Sequence, residues 1–130
     1  MEYTIKTKKA QEFVDITDVV RGAVFESGVK NGTVIVFVPH TTAGITINEN
    51  ADPNVVRDIL WALNKAFPEK NGYLHAEGNS HAHIKASLMG SSCNIIIKNG
   101  KLKLGIWQGI YLCEFDGPRN RKVYVKITGD

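Results

Sequence analysis

The spacing of apolar positions changes several times along the 130-residue chain, and each change predicts an element. Tyr3–Lys6 alternates apolar with polar residues and predicts an edge strand. Ile16, Val19, Val20, Ala23 and Val24 recur at helical spacing, with Asp15 and Thr17 as candidate caps and Gly28 as terminator. After the Asn31-Gly32 turn, Thr33–Val38 is β-branched and apolar throughout, which predicts a strand covered on both faces. Thr41–Asn48 alternates again and is expected to be its pairing partner.

The clearest helix follows. Asp52 is placed to cap it, Pro53 suits its first position, and Val56, Ile59, Leu60, Leu63 and Phe67 form one apolar face before Pro68. Asn71-Gly72 turns the chain into the histidine-rich stretch Tyr73–His83, after which Asn79 or Ser80 can cap a short helix closed by Gly90. The remainder reads as strand: Asn94–Lys98, an Asn99-Gly100 turn, Lys101–Phe115, an Asp116-Gly117-Pro118 turn and Lys122–Thr128. Three Asn-Gly or Asp-Gly hairpin signals favour antiparallel pairing. The expected fold class is therefore α+β: one domain over residues 1–130, a mostly antiparallel sheet folded on itself like a sandwich or barrel, and two main helices.

Composition supports one ordinary globular core, with 43% hydrophobic and 22% charged residues. Sixteen basic against thirteen acidic residues give a formal charge of +3, too small a bias to indicate nucleic-acid binding. The first thirty residues lack a signal-peptide layout, and no apolar run approaches the roughly 20 residues of a membrane span. A cytoplasmic, non-membrane protein is expected. Cys93 and Cys113 lie in apolar segments without CxxC spacing and read as buried free thiols rather than a disulfide or zinc ligands.

The polar chemistry gathers around histidine. His40 follows an apolar strand, and His75, Glu77, Asn79, His81 and His83 lie within nine residues. Three imidazoles, His40, His75 and His83, could hold a metal with one open position or serve as acids and bases, although His75-x5-His81-x-His83 matches no standard zinc spacing. His81 alone reads as a hydrogen-bonded structural residue. Asn48-Glu49-Asn50-Ala51-Asp52 precedes a helix start, where it can bind an anion or merely cap, with Glu49 in excess of capping need. Arg119 and Arg121 flank a turn, suited to phosphate or to plain solvation. Gly90-Ser91-Ser92 offers donors but is no P-loop. Trp107 reads as core or interface packing and Gln108 as a buried amide needing partners.

Several blocks together resemble the YjbQ family of secondary thiamine-phosphate synthase enzymes: His40-Thr41-Thr42-Ala43 with Asn48-Glu49-Asn50, Asn79 and His83 ahead of Ser87-Leu88-Met89-Gly90, and Leu104-Gly105-Ile106-Trp107-Gln108-Gly109-Ile110 with Glu114-Phe115-Asp116-Gly117-Pro118-Arg119. Ile106 departs from the usual threonine, and His81 stands where an acidic residue is usual. The resemblance implies a homotrimer and a pocket near subunit contacts. It places His40, His75 and His83 there as ligands of a divalent metal, zinc or magnesium, or of phosphate. It also implies an alkyl transferase that releases diphosphate from a small phosphorylated substrate. Glu49, Gln108 and Arg119 are then the candidate catalytic groups, Glu49 as acid or base and Arg119 as phosphate anchor, with Thr41, Asn48, Asn50, Asn79 and Glu114 touching substrate. A metal-dependent phosphohydrolase and a non-enzymatic trimeric ligand- or metal-binding module are the alternatives.

Overall fold

The computed structural model describes residues 1–130 as eight strands and three helices. In chain order these are β1 (Glu2–Lys6), β2 (Glu12–Asp15), α1 (Thr17–Ser27), β3 (Gly32–Phe37), β4 (Ala43–Glu49), α2 (Pro53–Ala66), α3 (Ser80–Met89), β5 (Ser92–Lys98), β6 (Lys101–Leu102), β7 (Gln108–Glu114) and β8 (Asn120–Gly129). All strand pairs are antiparallel, in a five-stranded sheet of order β1-β8-β3-β5-β6 and a three-stranded sheet of order β2-β7-β4. The α+β class, with an antiparallel sheet curled on itself, is as expected from the sequence, with three helices.

The two sheets use their faces differently. Val34, Val36, Ile95, Ile97, Val123 and Val125 of the large sheet meet Ile45, Ile110 and Leu112 of the small sheet, and Val20, Ala23 and Val24 of α1 join that core. The far side of the small sheet is covered as well: Tyr111 and Cys113 pack with Ala82 and Ala86 of α3, and Val56, Leu60 and Leu63 of α2 lie over them. Hence β7 is buried almost continuously, whereas β3 alternates buried and exposed residues. Covered on both faces describes β7, not β3. In one chain Ile35 and Phe37 face outward, with Ile96 and Tyr124 beside them.

Other expectations are corrected by long-range pairing. β3 and β4 are not partners: β3 pairs with β5 and β8, and β4 pairs with β7. The stretch Lys101–Phe115 is two strands and an intervening loop rather than one strand. Only Asn99-Gly100 closes a two-residue hairpin, both residues holding the positive φ (53° and 74°) that such a turn needs. Asn31-Gly32 leads into β3, and Asp116-Gly117 carries the chain from one sheet to the other. Strand β2 had no periodic signal in four residues. Asp52 does cap α2, accepting a hydrogen bond from Asn54 N at 2.9 Å. Neither Asp15 nor Thr17 is the N-cap of α1: Ile16 holds that place, while the Asp15 carboxylate accepts from both Thr17 N–H and Thr17 hydroxyl. Cys93 and Cys113 are free thiols.

Candidate functional site: a histidine- and arginine-lined cavity

Four segments meet at the ends of β4 and β7. The β3–β4 connection brings His40 and Thr41, the segment before α3 brings His75 and Asn79, the first turn of α3 brings His83, and the β7–β8 connection brings Arg119. These residues line one open cavity of about 440 Å³ together with Glu77, Asp116 and Arg121, and Pro39 is the one apolar side chain in its wall. Gly44 permits the meeting, because a Cβ there would lie 2.8 Å from Gly90 O and 2.9 Å from Met89 Cβ. With hydrogen at that position the end of α3 rests directly on β4, which sets His83 across from the His40 loop.

Each wall residue is held by a specific partner. Lys122 N–H donates to His40 Nε2 at 2.8 Å. Burial first, and then the charge of Arg121, keeps the His40 pKa below its ordinary value and favours the neutral ring. A neutral imidazole that accepts at Nε2 carries its proton on Nδ1, so His40 is a donor there. The His75 and His83 rings meet edge to face with centroids 5.4 Å apart. Asn79 Nδ2 donates to Asp116 Oδ2 at 3.0 Å, tying the start of α3 to the β7–β8 turn; its Oδ1 is left buried without a partner. Arg119 donates from Nε to Asp116 O at 2.7 Å and from Nη2 to Asp116 Oδ2 at 3.1 Å.

Beneath the cavity lies a closed ionic cluster. Arg121 (4% exposed) forms a bidentate pair with Glu114 (0% exposed) and donates to Thr42 Oγ1 at 2.9 Å. Glu114 also accepts from Thr7 hydroxyl at 2.8 Å and Asp116 N–H at 3.2 Å, which occupies its carboxylate. Glu114 is thus a support for Arg121 and not a substrate contact, because burial closes it to any ligand. Arg121, read with Arg119 as suited to phosphate or to solvation, had no assigned place in the expected site, and Asp116 was read only as part of a turn. A signal for Arg121 existed: it shares the inward register of Val123 and Val125 on β8, an odd place for a solvated arginine.

The remaining candidates sit elsewhere. Ala43 faces Glu114 at one end of the β4–β7 ladder, and Glu49 faces Gln108 at the other, six residues or about 20 Å away. There each has a local task. Glu49 Oε2 accepts from Asp52 N at 3.2 Å, Asn48 Oδ1 accepts from Glu49 N at 2.7 Å, Asn50 Nδ2 donates to Asp15 Oδ2 at 3.1 Å, and Gln108 Oε1 accepts from Gly105 N at 2.8 Å. Gln108 is exposed rather than buried, and so is Trp107. His81 lies on the inner side of α3, away from the cavity, bonded to Lys85.

The expected metal can be tested against this geometry. No three His, Cys, Asp or Glu side chains form a set able to hold an ion, and His40 Nε2 is already engaged by Lys122 N–H. The three histidines share a cavity but do not fit a three-imidazole cage, so no chemistry is derived through a metal. No helix is long and apolar enough to cross a membrane.

Comparison with known proteins agrees with the fold throughout. A family model described as UPF0047 protein YjbQ-like matches residues 1–130. A UPF0047 protein of Methanocaldococcus jannaschii is 58% identical, covering 99% of this chain and 94% of its own, and YugU of Bacillus subtilis is 51% identical with 96% of each covered. A crystal structure of an uncharacterised YjbQ/UPF0047 protein from Clostridium acetobutylicum superposes with a TM-score of 0.97 at 68% identity, covering 98% of this chain and 99% of that one. A YbjQ-like protein of unknown function from Sulfolobus solfataricus superposes at 0.95 with 37% identity, over 100% of this chain and 96% of that one. The chain belongs to the YjbQ-like UPF0047 family.

Proposed function

We propose that the cavity binds the phosphate of a small phosphorylated molecule and that the protein acts on it as an enzyme. One observation carries this reading: three imidazoles and Arg119 converge, from segments distant in sequence, on an open and predominantly polar cavity. Arg119 uses two of a guanidinium's five N–H donors on Asp116, leaving three for an oxyanion at the rim. Arg119 and Arg121 are offset by Asp116 and Glu114, and Glu77 adds a further carboxylate, so fixed charge does not favour an anion and oxyanion affinity rests on oriented donors. The same groups suit a reaction in which an oxygen leaving group needs a proton or positive charge. Thiamine-phosphate synthesis is the nominal reaction, and Arg119 with the histidines would stabilise its departing diphosphate.

The test is binding of inorganic phosphate, followed by titration calorimetry. Arg119→Ala and His83→Ala are each expected to weaken it about tenfold or more, equivalent to one charge-assisted hydrogen bond, while the thermal midpoint stays put. Undiminished binding in both variants overturns the reading.

A second observation favours self-association, which we propose takes the form of the homotrimer that the resemblance implies. Ile35, Phe37, Ile96 and Tyr124 lie together on the open face of the five-stranded sheet, Ile96 being 61% exposed. Glu49 and Gln108 would then reach a cavity only as another copy's residues. A monomeric mass by light scattering, unchanged in Phe37→Asp, refutes it.

A further inference from the structure

The histidine cavity does not end at its charged wall. His40, Thr41 and His83 also line a second, adjoining cavity of about 490 Å³, whose remaining lining is Ala43, Ala86, Ser87, Gly90 and Ser91. The two lobes therefore share a waist of two imidazoles and a threonine, and their chemistry differs sharply. The first holds Glu77, Asp116, Arg119 and Arg121. Apart from the shared histidines and Thr41, the second has no ionisable side chain, only two methyl groups, two hydroxyls and backbone. Neither lobe is lined by Phe, Tyr or Trp.

We infer that the substrate is the phosphate ester of a small, uncharged, hydroxylated aliphatic alcohol of the polyol type. Its phosphate sits in the arginine lobe and its carbon chain in the serine lobe. This rests on the phosphate reading above and narrows it, away from the heterocyclic substrates of the nominal thiamine-phosphate synthesis. A planar heterocycle draws its binding energy from stacking on aromatic faces and from paired donors and acceptors along one edge. The second lobe offers no Phe, Tyr or Trp face, only the edges of the two imidazoles it shares with the first. A charged organic moiety would lose its hydration there without a counter-charge. A polyol asks for what the lobe has: hydroxyls able both to donate and to accept, beside small apolar patches that receive C–H groups. Ser87 hydroxyl donates to His83 O at 2.8 Å, which leaves its oxygen free to accept from a ligand hydroxyl. The neutral His40, protonated at Nδ1, adds a donor at the waist.

The experiment compares three probes by titration calorimetry: inorganic phosphate, glycerol 3-phosphate and phenyl phosphate. It uses the wild-type protein and Ser87→Phe, a change at an exposed position that fills the second lobe. Inorganic phosphate should bind both proteins alike. Glycerol 3-phosphate should bind wild type about tenfold tighter than inorganic phosphate, equivalent to one or two added hydrogen bonds, and Ser87→Phe should erase that gain. Phenyl phosphate should show no gain. If phenyl phosphate binds tighter than glycerol 3-phosphate, or the glycerol 3-phosphate gain is absent or survives in Ser87→Phe, the inference is overturned while the phosphate reading stands. If inorganic phosphate fails to bind wild type, the phosphate reading falls and this inference falls with it.

Discussion

Two buried cations, Arg121 below the cavity and Lys85 under α2, show how differently one small fold can treat a charge. Arg121 meets the carboxylate of Glu114 in a bidentate pair, closed by Thr7 and Thr42. Lys85, 0% exposed, meets no carboxylate: its ammonium donates to Asn64 Oδ1 at 2.6 Å and to His81 Nδ1 at 2.9 Å. Desolvation lowers the Lys85 pKa, opposed by the field of Glu69. Desolvation and then the Lys85 charge lower that of His81. The first cluster is complete and fixes the wall of the site. The second joins α3 to α2, a helix with no fully buried residue, through neutral partners, and it carries one positive charge that a second proton would double. The lesson is that a compensated buried pair gives rigidity, whereas an uncompensated one ties stability to pH.

The comparison is most exposed at Glu114. Glu114→Ala leaves the Arg121 guanidinium buried without its counter-charge, and should cost about 3–5 kcal/mol in urea unfolding. Lys85→Met, in contrast, replaces an ammonium lacking a carboxylate with an apolar chain of similar length. It should change stability by about 1 kcal/mol or less, in either direction, since burying the charge was itself costly. A loss as large as that of Glu114→Ala would break the distinction between the clusters.

pH sharpens it further. The folded pKa values of His40 and His81 lie below the ordinary imidazole value near 6.5. From that value downward the unfolded chain binds more protons than the folded one, so stability is full above about pH 6.5 and falls as the pH drops through the histidine range. Urea midpoints at pH 7.5 and pH 5.0 should show this decline. Lys85→Met should flatten it, because the cation that opposes His81 protonation is gone, and an unaltered slope would remove Lys85 from the account. The smallest effect belongs to His40. His40→Gln can still accept from Lys122 N–H and should be more stable than His40→Ala by about 1 kcal/mol, the worth of one hydrogen bond.

How far the site was legible in the sequence follows from where its signals lie. The residues of the histidine-rich stretch and the His40 loop were conspicuous because imidazoles cluster there against an otherwise ordinary composition. Glu49, Asn50 and Gln108 were equally conspicuous, yet they stand at the other end of the β4–β7 ladder, since being polar and near a helix start says nothing about which sheet end a residue occupies. Glu114 was expected to touch substrate through the family resemblance alone; its partner is Arg121, seven residues away in sequence but on the other sheet. His81 read as structural, and its buried bond to Lys85 agrees.

Local order was the sequence's own doing. The apolar period of α2, its Asp52-Pro53 start, the Gly28 end of α1 and the Asn99-Gly100 turn depend on residues within a few positions of one another, where backbone sterics and caps act directly. Tertiary structure alone decided that β4 leaves β3 for β7, that β7 rather than β3 is covered on both faces, and that His40, His75, His83 and Arg119 line one cavity. Those outcomes depend on which apolar faces bury each other across the whole chain. Pattern along a strand constrains that choice only to one face or the other.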